Sequence, residues 1–257
     1  LKQYYPVVLT FKAAKPYAEF LLKFLGKYPN LSAAQSAGET HLRNFFHGVG
    51  MKRRADDLAS LIVGAQPLST DEITIRSLQR RLEMVVEQLQ TLNKHERRYT
   101  AAMKQLLPQH DDYDMVASLP GGAVNVQARM IAALGDDRNR YADAKSLQSA
   151  SGIAPITDQS GKHKRVTSRW ACTKFMKQTF HEYAGLSIAK SRWAKAFYED
   201  QIKRGKTAQM ARRALAYKWQ RIIFRCWQSR EPYDEGRYIE SLKQSGSPLY
   251  AKLSAAS

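Results

Sequence analysis

Apolar residues recur at helical spacing along most of this chain, and the alternation that marks strands is nearly absent. In residues 1–66 the pattern predicts short helices, one opened by Pro16 and two more over 32–46 and 52–63, with glycines between them. The sequence therefore predicts a mainly α protein that begins with a short-helix segment.

A much longer helix is predicted from Thr70 to Leu107, with Ser69 or Thr70 as its N-cap and Pro108 as its stop. Ten positions within it fall at alternating steps of three and four, and nine of them are apolar. They are Ile75, Leu78, Leu82, Val85, Leu89, Leu92, Glu96, Tyr99, Met103 and Leu106. This repeat is typical of a coiled coil and favours pairing with a second copy, although an intramolecular helical hairpin would show the same stripe.

After residue 66 the chain is predicted to divide into three parts. They are a coiled-coil helix and linker over 67–115, a helical domain over 116–235 and a polar, flexible tail over 236–257. Glycine and proline around 151–168 predict a small irregular or short-stranded insert in the helical domain. Near the start of that domain, a Leu-Pro-Gly turn feeds an apolar helix and resembles a helix-hairpin-helix element. Backbone N–H groups at Gly121 and Gly122 are then candidate phosphate contacts, although a purely structural turn fits equally well.

Charge narrows the range of partners. The chain carries 41 Lys and Arg against 23 Asp and Glu, a net charge of +18, and 22 of those bases against 7 acids lie in 120–230. Such a field predicts a polyanionic partner, either nucleic acid or an acidic membrane surface. Aromatic residues in the same stretch favour nucleic acid. They are Trp170, Tyr183, Trp193, Trp219, Phe224 and Trp227. No apolar run approaches the roughly 18 residues of a membrane span.

Several kinds of site are excluded. His181 and Glu182 begin a zinc-protease motif, but the second ligand position holds Gly185. Cys172 and Cys226 lack the paired spacing of a structural zinc site, and two thiols suit a reducing cytoplasm. Neither a phosphate-binding loop motif nor a carboxylate cluster for a two-metal site stands out. No metal ligands are therefore assigned.

Ser160 is the remaining chemical candidate. It lies beside Gly161 in a predicted loop, close to four basic residues that could hold a phosphate while a serine hydroxyl attacks it. Those basic residues are Lys162, Lys164, Arg165 and Arg169. The pattern alone favours an ordinary Ser-Gly turn.

A set of ordered motifs adds a family resemblance. They are Leu119-Pro120-Gly121, Gly135-Asp136-Asp137, Leu147 to Pro155, Gln159-Ser160-Gly161-Lys162, Arg169 to Cys172, Gln178 to Glu182, Ala214 to Trp219, Arg225 to Gln228 and Pro232 to Glu235. Together they resemble the C-terminal part of insertion-sequence transposases of the IS110/IS116/IS902 family, the serine-dependent recombinases with a DEDD domain. The resemblance is close over 116–235 and looser back to Leu1.

The resemblance implies DNA cutting and rejoining with a serine nucleophile. By position in its motif that serine is Ser160, and Ser149 and Ser151 are the rival assignments. One departure concerns the turn, where the family's second glycine is displaced to Gly122.

The family also implies an N-terminal RNase-H-like domain with an acidic Mg²⁺ site, followed by a coiled coil. No acidic tetrad is found from Leu1 onward, so we expect a truncated chain, poorly active alone, with no cofactor of its own. The implied partners are DNA, a guide (bridge) RNA in some members and a second copy through the coiled coil, without a membrane. The expected location is the bacterial cytoplasm, at the nucleoid. The alternative function is a non-catalytic basic coiled-coil protein that binds nucleic acid.

Overall fold

The computed structural model describes residues 1–11, 17–160 and 163–254. Over 155–160 and 163–168 it describes the backbone, with side chains only at 155, 156, 159 and 167. The chain forms two compact units, 1–99 and 100–257. The mainly α prediction is confirmed, and the one pair of strands among the described residues lies in the second unit.

The first unit is built from short helices around an aromatic core. Its elements are a 3-10 helix Pro6–Phe11, α1 Glu19–Lys27, α2 Leu31–Ser36, α3 Glu39–Gly48, a 3-10 helix Lys52–Arg54, α4 Ala55–Val63 and the beginning of α5, Glu72–Leu106. Phe24 lies at the centre of the core, stacked on Phe46 at 5.4 Å and edge-on to Phe11 at 5.3 Å. These three rings are fully buried. Their burial supplies much of the hydrophobic stabilisation of this unit.

One predicted helix of this unit is divided in two. The continuous helix expected over 32–46 is interrupted at Gly38, which has φ +79° and links α2 to α3. Asn30 caps α2 by accepting a hydrogen bond of 2.7 Å from Ala33 N. Glycine adopts this left-handed backbone conformation without strain because it has no Cβ, and a helix ends readily at such a residue.

The long helix is present, with a different N-cap from the one predicted and a local difference at one seam position. Asp71, rather than Ser69 or Thr70, caps α5 by accepting from the N–H groups of Ile73 and Thr74. Val86 is buried, whereas the predicted seam residue Val85 is exposed. Four other seam residues pack on the core of the first unit, namely Ile75, Leu78, Leu82 and Leu89. The first half of the apolar stripe is therefore used inside the chain.

The second unit is a helical domain with a hairpin inserted in it. After the end of α5 it contains a 3-10 helix Leu107–Gln109, α6 Tyr113–Ser118, α7 Val124–Leu134, a 3-10 helix Arg138–Arg140, α8 Ala144–Ala150, β1 Pro155–Ser160, β2 His163–Ser168, α9 Lys174–Ser187, α10 Arg192–Lys203, α11 Ala208–Ser229, α12 Glu235–Gln244 and α13 Pro248–Ser254. Helix α11 is central and packs against α8, α9 and α10.

Most of the aromatic residues taken as a sign of nucleic-acid binding form the core of this unit. Trp193, Trp219 and Trp227 are fully buried, as is Tyr183. Trp193 Nε1 donates to Tyr233 Oη at 2.7 Å, and Trp219 Nε1 donates to Ser187 Oγ at 2.8 Å. These side chains stabilise the fold, and of the four tryptophans only Trp170 is exposed. That part of the sequence interpretation is corrected.

The segment after 236, expected to be a flexible tail, is also corrected. It continues α12 and adds α13, and Leu242, Leu249 and Leu253 are buried in the core of the second unit. Asp234 caps α12, because its Oδ1 accepts a hydrogen bond of 3.0 Å from Arg237 N. The polar composition of this segment led to the wrong prediction, because only three leucines, spread over two short helices, are needed to cover the core.

No helix in the described part of the chain is both long and apolar enough to span a membrane.

Candidate functional site

The Ser160 motif lies on an antiparallel hairpin. Ser160 is the last residue of β1 and is registered opposite His163, the first residue of β2. The two residues between them, Gly161 and Lys162, lie outside the described residues. Arg165 is registered opposite Asp158, and Lys164 opposite Gln159. A strand alternates its faces, so Ser160, Asp158 and Arg165 belong to one face of the hairpin and Lys164 belongs to the other.

The chain leading into β1 is held tightly. Arg213 on α11 donates from Nε to Ile153 O at 3.0 Å and from Nη2 to Ala154 O at 3.3 Å. Gly152 has φ +69°, and a Cβ there would lie 2.4 Å from Cys172 Sγ, so glycine is required. These contacts fix the direction in which the hairpin leaves the domain.

The other end of the hairpin is anchored to α9. Arg169 O accepts from Lys177 Nζ at 3.3 Å, and Thr173 N donates to Ala150 O at 3.3 Å. Arg169 itself is half-buried, and its Nε has no hydrogen-bond partner among the described residues. Trp170 beside it is 96% exposed. An arginine and a bare tryptophan thus follow directly after β2.

Ser151, a rival to Ser160, is a buried structural residue. Its hydroxyl donates to Gln148 O at 3.0 Å and accepts from Gln220 Nε2 at 2.7 Å and from Ile153 N at 3.4 Å. Its side chain is fully buried. A phosphodiester could not reach this hydroxyl without opening the core. Ser149, the other rival, is half-buried near the end of α8.

Basic side chains surround the base of the hairpin. A recess of about 520 Å³ is lined by Ile153 and by Lys174, Lys177, His181 and Arg213. A larger groove of about 1590 Å³ shares Ile153, Met210 and Arg213 with this recess and is lined by further residues of α11. Burial lowers the pKa of the Arg213 guanidinium, which nevertheless remains a cation at neutral pH. Two concave surfaces that carry basic side chains therefore meet at Ile153 and Arg213, just before the hairpin begins.

The Leu-Pro-Gly turn connects α6 to α7 and packs inward. Gly121 has φ +81°, and a Cβ there would lie 2.8 Å from Leu186 O at the end of α9. Gly122 N donates to Leu119 O at 3.3 Å, and Gly122 O accepts from Gln127 Nε2 at 2.8 Å. Both glycines are explained by packing within the domain. Their contact with DNA remains a prediction.

The part of the chain that the structure describes contains no candidate metal site. Within it, no three His, Cys, Asp or Glu side chains lie close enough together to hold an ion. Cys172 and Cys226 are both free thiols.

Residues 113–199 match the family model described as "Transposase IS116/IS110/IS902 family". The chain carries a transposase domain of this family. That domain includes α6 to α9, most of α10, the hairpin and Ser160. A mini-circle protein of Streptomyces coelicolor, named as a putative transposase for IS117, is 31% identical over 144 residues. The match covers 56% of this chain and 35% of that relative, so the chain spans about a third of the relative's length.

The transposase domain agrees with the resemblance drawn from the motifs, and the non-catalytic alternative is not favoured. Sequence reasoning placed Ser160 in its motif but missed the residues that support the hairpin. Arg213 and Gln220 lie on α11, about 60 residues or more from the carbonyl and hydroxyl groups that they contact. Their positions in the helix gave no signal, because only the tertiary packing brings them to Ile153 and Ser151.

Proposed function

We propose that this chain takes part in insertion-sequence transposition, cutting and rejoining DNA strands with Ser160 as nucleophile. The observation that carries the proposal is the placement of Ser160 at the end of β1, on a hairpin whose base is lined with cations. The rival Ser151 is, by contrast, enclosed in the core with three hydrogen-bond partners. The transposase family supplies DNA as the substrate class.

In the proposed step the Ser160 hydroxyl attacks a DNA phosphorus. A bond from phosphorus to the serine oxygen forms, and the bond from phosphorus to one sugar oxygen breaks. Ser160 gives up a proton and the departing sugar oxygen takes one up, so the step is balanced. Attack by another sugar hydroxyl on the phosphoserine link then rejoins the strands and releases Ser160.

Arg165 is proposed to neutralise the phosphate under attack. It belongs to the same face of the hairpin as Ser160, one register step away, whereas Lys164 belongs to the opposite face. A guanidinium presents two parallel donors to a phosphate, and these stabilise the additional negative charge of the transition state. Lys162 and Arg169 are proposed to bind the neighbouring phosphates, and Gly161 is proposed to let DNA approach the turn closely.

Mg²⁺, which the family resemblance implies, is not assigned to this chain. The described residues provide no group of three ligands for it. We propose that its ligands lie elsewhere in the transposase, and no step above passes through the ion. A guide RNA and association with the bacterial nucleoid follow from the same resemblance and are proposed on that basis.

Self-association is proposed through the distal half of α5. Leu92, Tyr99 and Leu106 are 62%, 70% and 62% exposed and continue the three-four spacing of the seam. A second copy of the helix would cover this stripe.

The decisive experiment measures recombination of a supercoiled donor plasmid by the gene product that carries this chain. Ser160→Ala should abolish strand exchange, because alanine cannot form the covalent link, while DNA affinity and folding persist. Ser149→Ala is the matched control and should recombine normally. Normal recombination by Ser160→Ala would show that the nucleophile is misassigned.

The role of Arg165 is tested in the same assay. Arg165→Gln should slow strand exchange by about 100-fold, as expected when one donor to a developing charge is lost. Lys164→Gln removes the same charge from the opposite face and should cost much less. Equal losses in the two variants would contradict the face assignment.

A further inference from the structure

The larger groove is a feature that the proposed strand-exchange chemistry does not use. It begins beside Pro155 and Thr167, at the base of the hairpin, and follows α11 between α10 and α12. Its volume of about 1590 Å³ exceeds the roughly 300–1,000 Å³ of ordinary small-molecule pockets. Its size and course fit an extended ligand better than a compact one.

One wall of the groove carries uncompensated positive charge. Lys218, Arg221 and Arg225 lie on α11 at spacings of three and four residues, which places them along one side of the helix over about 10 Å. None of the three forms an ion pair with a carboxylate in the described part of the chain. Burial, and secondarily Arg221, lowers the pKa of Lys218. An anion bound here would relieve the repulsion between Lys218 and Arg221.

The carboxylates of the groove are already engaged. Glu231 pairs with Arg237 at 3.4 Å, and Asp234 accepts from Arg237 N at 3.0 Å as the cap of α12. Glu240 lies 3.9 Å from Lys243 and accepts from Gln244. The free charge of the groove is therefore positive and is concentrated on α11, which selects a polyanion as the occupant.

Aromatic rings lie beside these cations. Phe197 and Tyr238 are half-buried and line the groove, and Lys218 Nζ lies 5.2 Å from the centroid of the Phe197 ring. The Tyr238 ring lies 4.8 Å from that of Trp193. Burial raises the pKa of Tyr238 to about 12, so its phenol stays neutral and can donate a hydrogen bond. A groove that combines cations with aromatic rings is the kind of surface on which single strands bind, with phosphates on the cations and bases on the rings.

We infer that this groove binds a single strand of DNA, with phosphates on Lys218, Arg221 and Arg225 and unpaired bases on Phe197 and Tyr238. The inference rests on the proposed function, because strand exchange at the hairpin exposes such a strand. A duplex fits less well. Its bases are paired and stacked on one another, so they cannot stack on the rings.

The test uses the complete 257-residue chain and three labelled probes, namely a 12-mer of oligo-dT, a 12-mer of oligo-rU and a 12-base-pair DNA duplex, with binding measured by fluorescence anisotropy. The variant Arg221→Glu/Arg225→Glu should bind oligo-dT at least about tenfold more weakly, since two phosphate contacts become repulsive. The matched control Lys195→Glu/Lys203→Glu makes the same charge change at exposed positions of α10 outside the groove. It should lose less than about threefold.

A second variant tests the rings without changing charge. Phe197→Leu should weaken oligo-dT binding by about fivefold or more and duplex binding very little, because stacking requires an unpaired base. Phe175→Leu, which alters an exposed ring on α9 outside the groove, is the control. Circular dichroism and thermal melting establish that each variant is folded before its affinity is compared.

Each outcome decides between the claims. If the groove and control variants lose the same affinity for oligo-dT, the groove is not the binding site, and the proposed function still stands. An equal fall in duplex affinity would overturn the single-strand assignment, and tighter binding of oligo-rU than of oligo-dT would assign the groove to RNA instead. If the unmodified chain binds none of the three probes, the result counts against the proposed function itself.

Discussion

Gln220 Nε2 donates a hydrogen bond of 2.7 Å to Ser151 Oγ, and both residues are fully buried. The bond ties the middle of α11 to the segment that leads into the hairpin. Ser151→Ala removes it and leaves the Gln220 amide without this partner in the core. We expect a loss of about 1–3 kcal/mol in the free energy of unfolding, measured by urea denaturation. Ser149→Ala, two residues earlier and half-buried, should change it by about 0.5 kcal/mol or less.

The anchoring of the hairpin by Arg213 gives a second prediction. Arg213→Gln shortens the side chain and removes the guanidinium contacts with Ile153 O and Ala154 O. The hairpin should then fluctuate more, and hydrogen exchange over 155–168 should accelerate by about tenfold, while exchange in α10 stays unchanged. Arg204→Gln, an exposed residue paired with Asp200 on α10, is the control for the loss of one arginine. Unchanged exchange in Arg213→Gln would mean that other contacts suffice to hold the hairpin.

The Leu-Pro-Gly turn gives a third prediction. Gly121→Ala combines an unfavourable φ of +81° with a Cβ 2.8 Å from Leu186 O. Gly205 has a similar φ of +79°, but a Cβ there meets nothing within 4 Å, so Gly205→Ala measures the conformational cost alone. We expect Gly121→Ala to destabilise the domain by at least about 1 kcal/mol more than Gly205→Ala, measured by thermal or urea unfolding. Equal costs would show that the turn can move away from α9.

The long helix gives a fourth prediction, with a choice of residues that the fold dictates. Leu82 and Leu89 pack on the core of the first unit, so changing them would damage that core as well as any dimer. Leu92→Lys/Tyr99→Lys instead places charges in the exposed stripe and should shift the chain from dimer to monomer at micromolar concentrations. Sedimentation velocity measures the change.

Thr91→Lys/Ala101→Lys adds the same charge to exposed positions of α5 outside the seam. This control should remain dimeric. An unmodified chain that already sediments as a monomer at these concentrations would contradict self-association through α5.

Local sequence patterns predicted the larger features well. The long helix, the concentration of bases over 120–230 and the short-stranded insert around Ser160 each depend on neighbouring residues, through helical spacing, charge count and the positions of glycine and proline. The order of the motifs along the chain also pointed to the transposase family. In each of the structural cases the physical cause lies among residues close together in the chain, so the sequence alone was sufficient.

Tertiary structure decided which side chains of those elements are available. Periodicity could not show that Trp193 and Trp219 are core residues, since that depends on Tyr233 and Ser187, 40 and 32 residues away. Nor could it show that Ser151 is enclosed by Gln220, 69 residues away. Burial is a property of packing between distant segments. The sequence by itself thus determined the helical class, the long helix, the charge and the family resemblance. Only the fold decided which serine is enclosed, which aromatic rings form the core and which half of the long helix faces solvent.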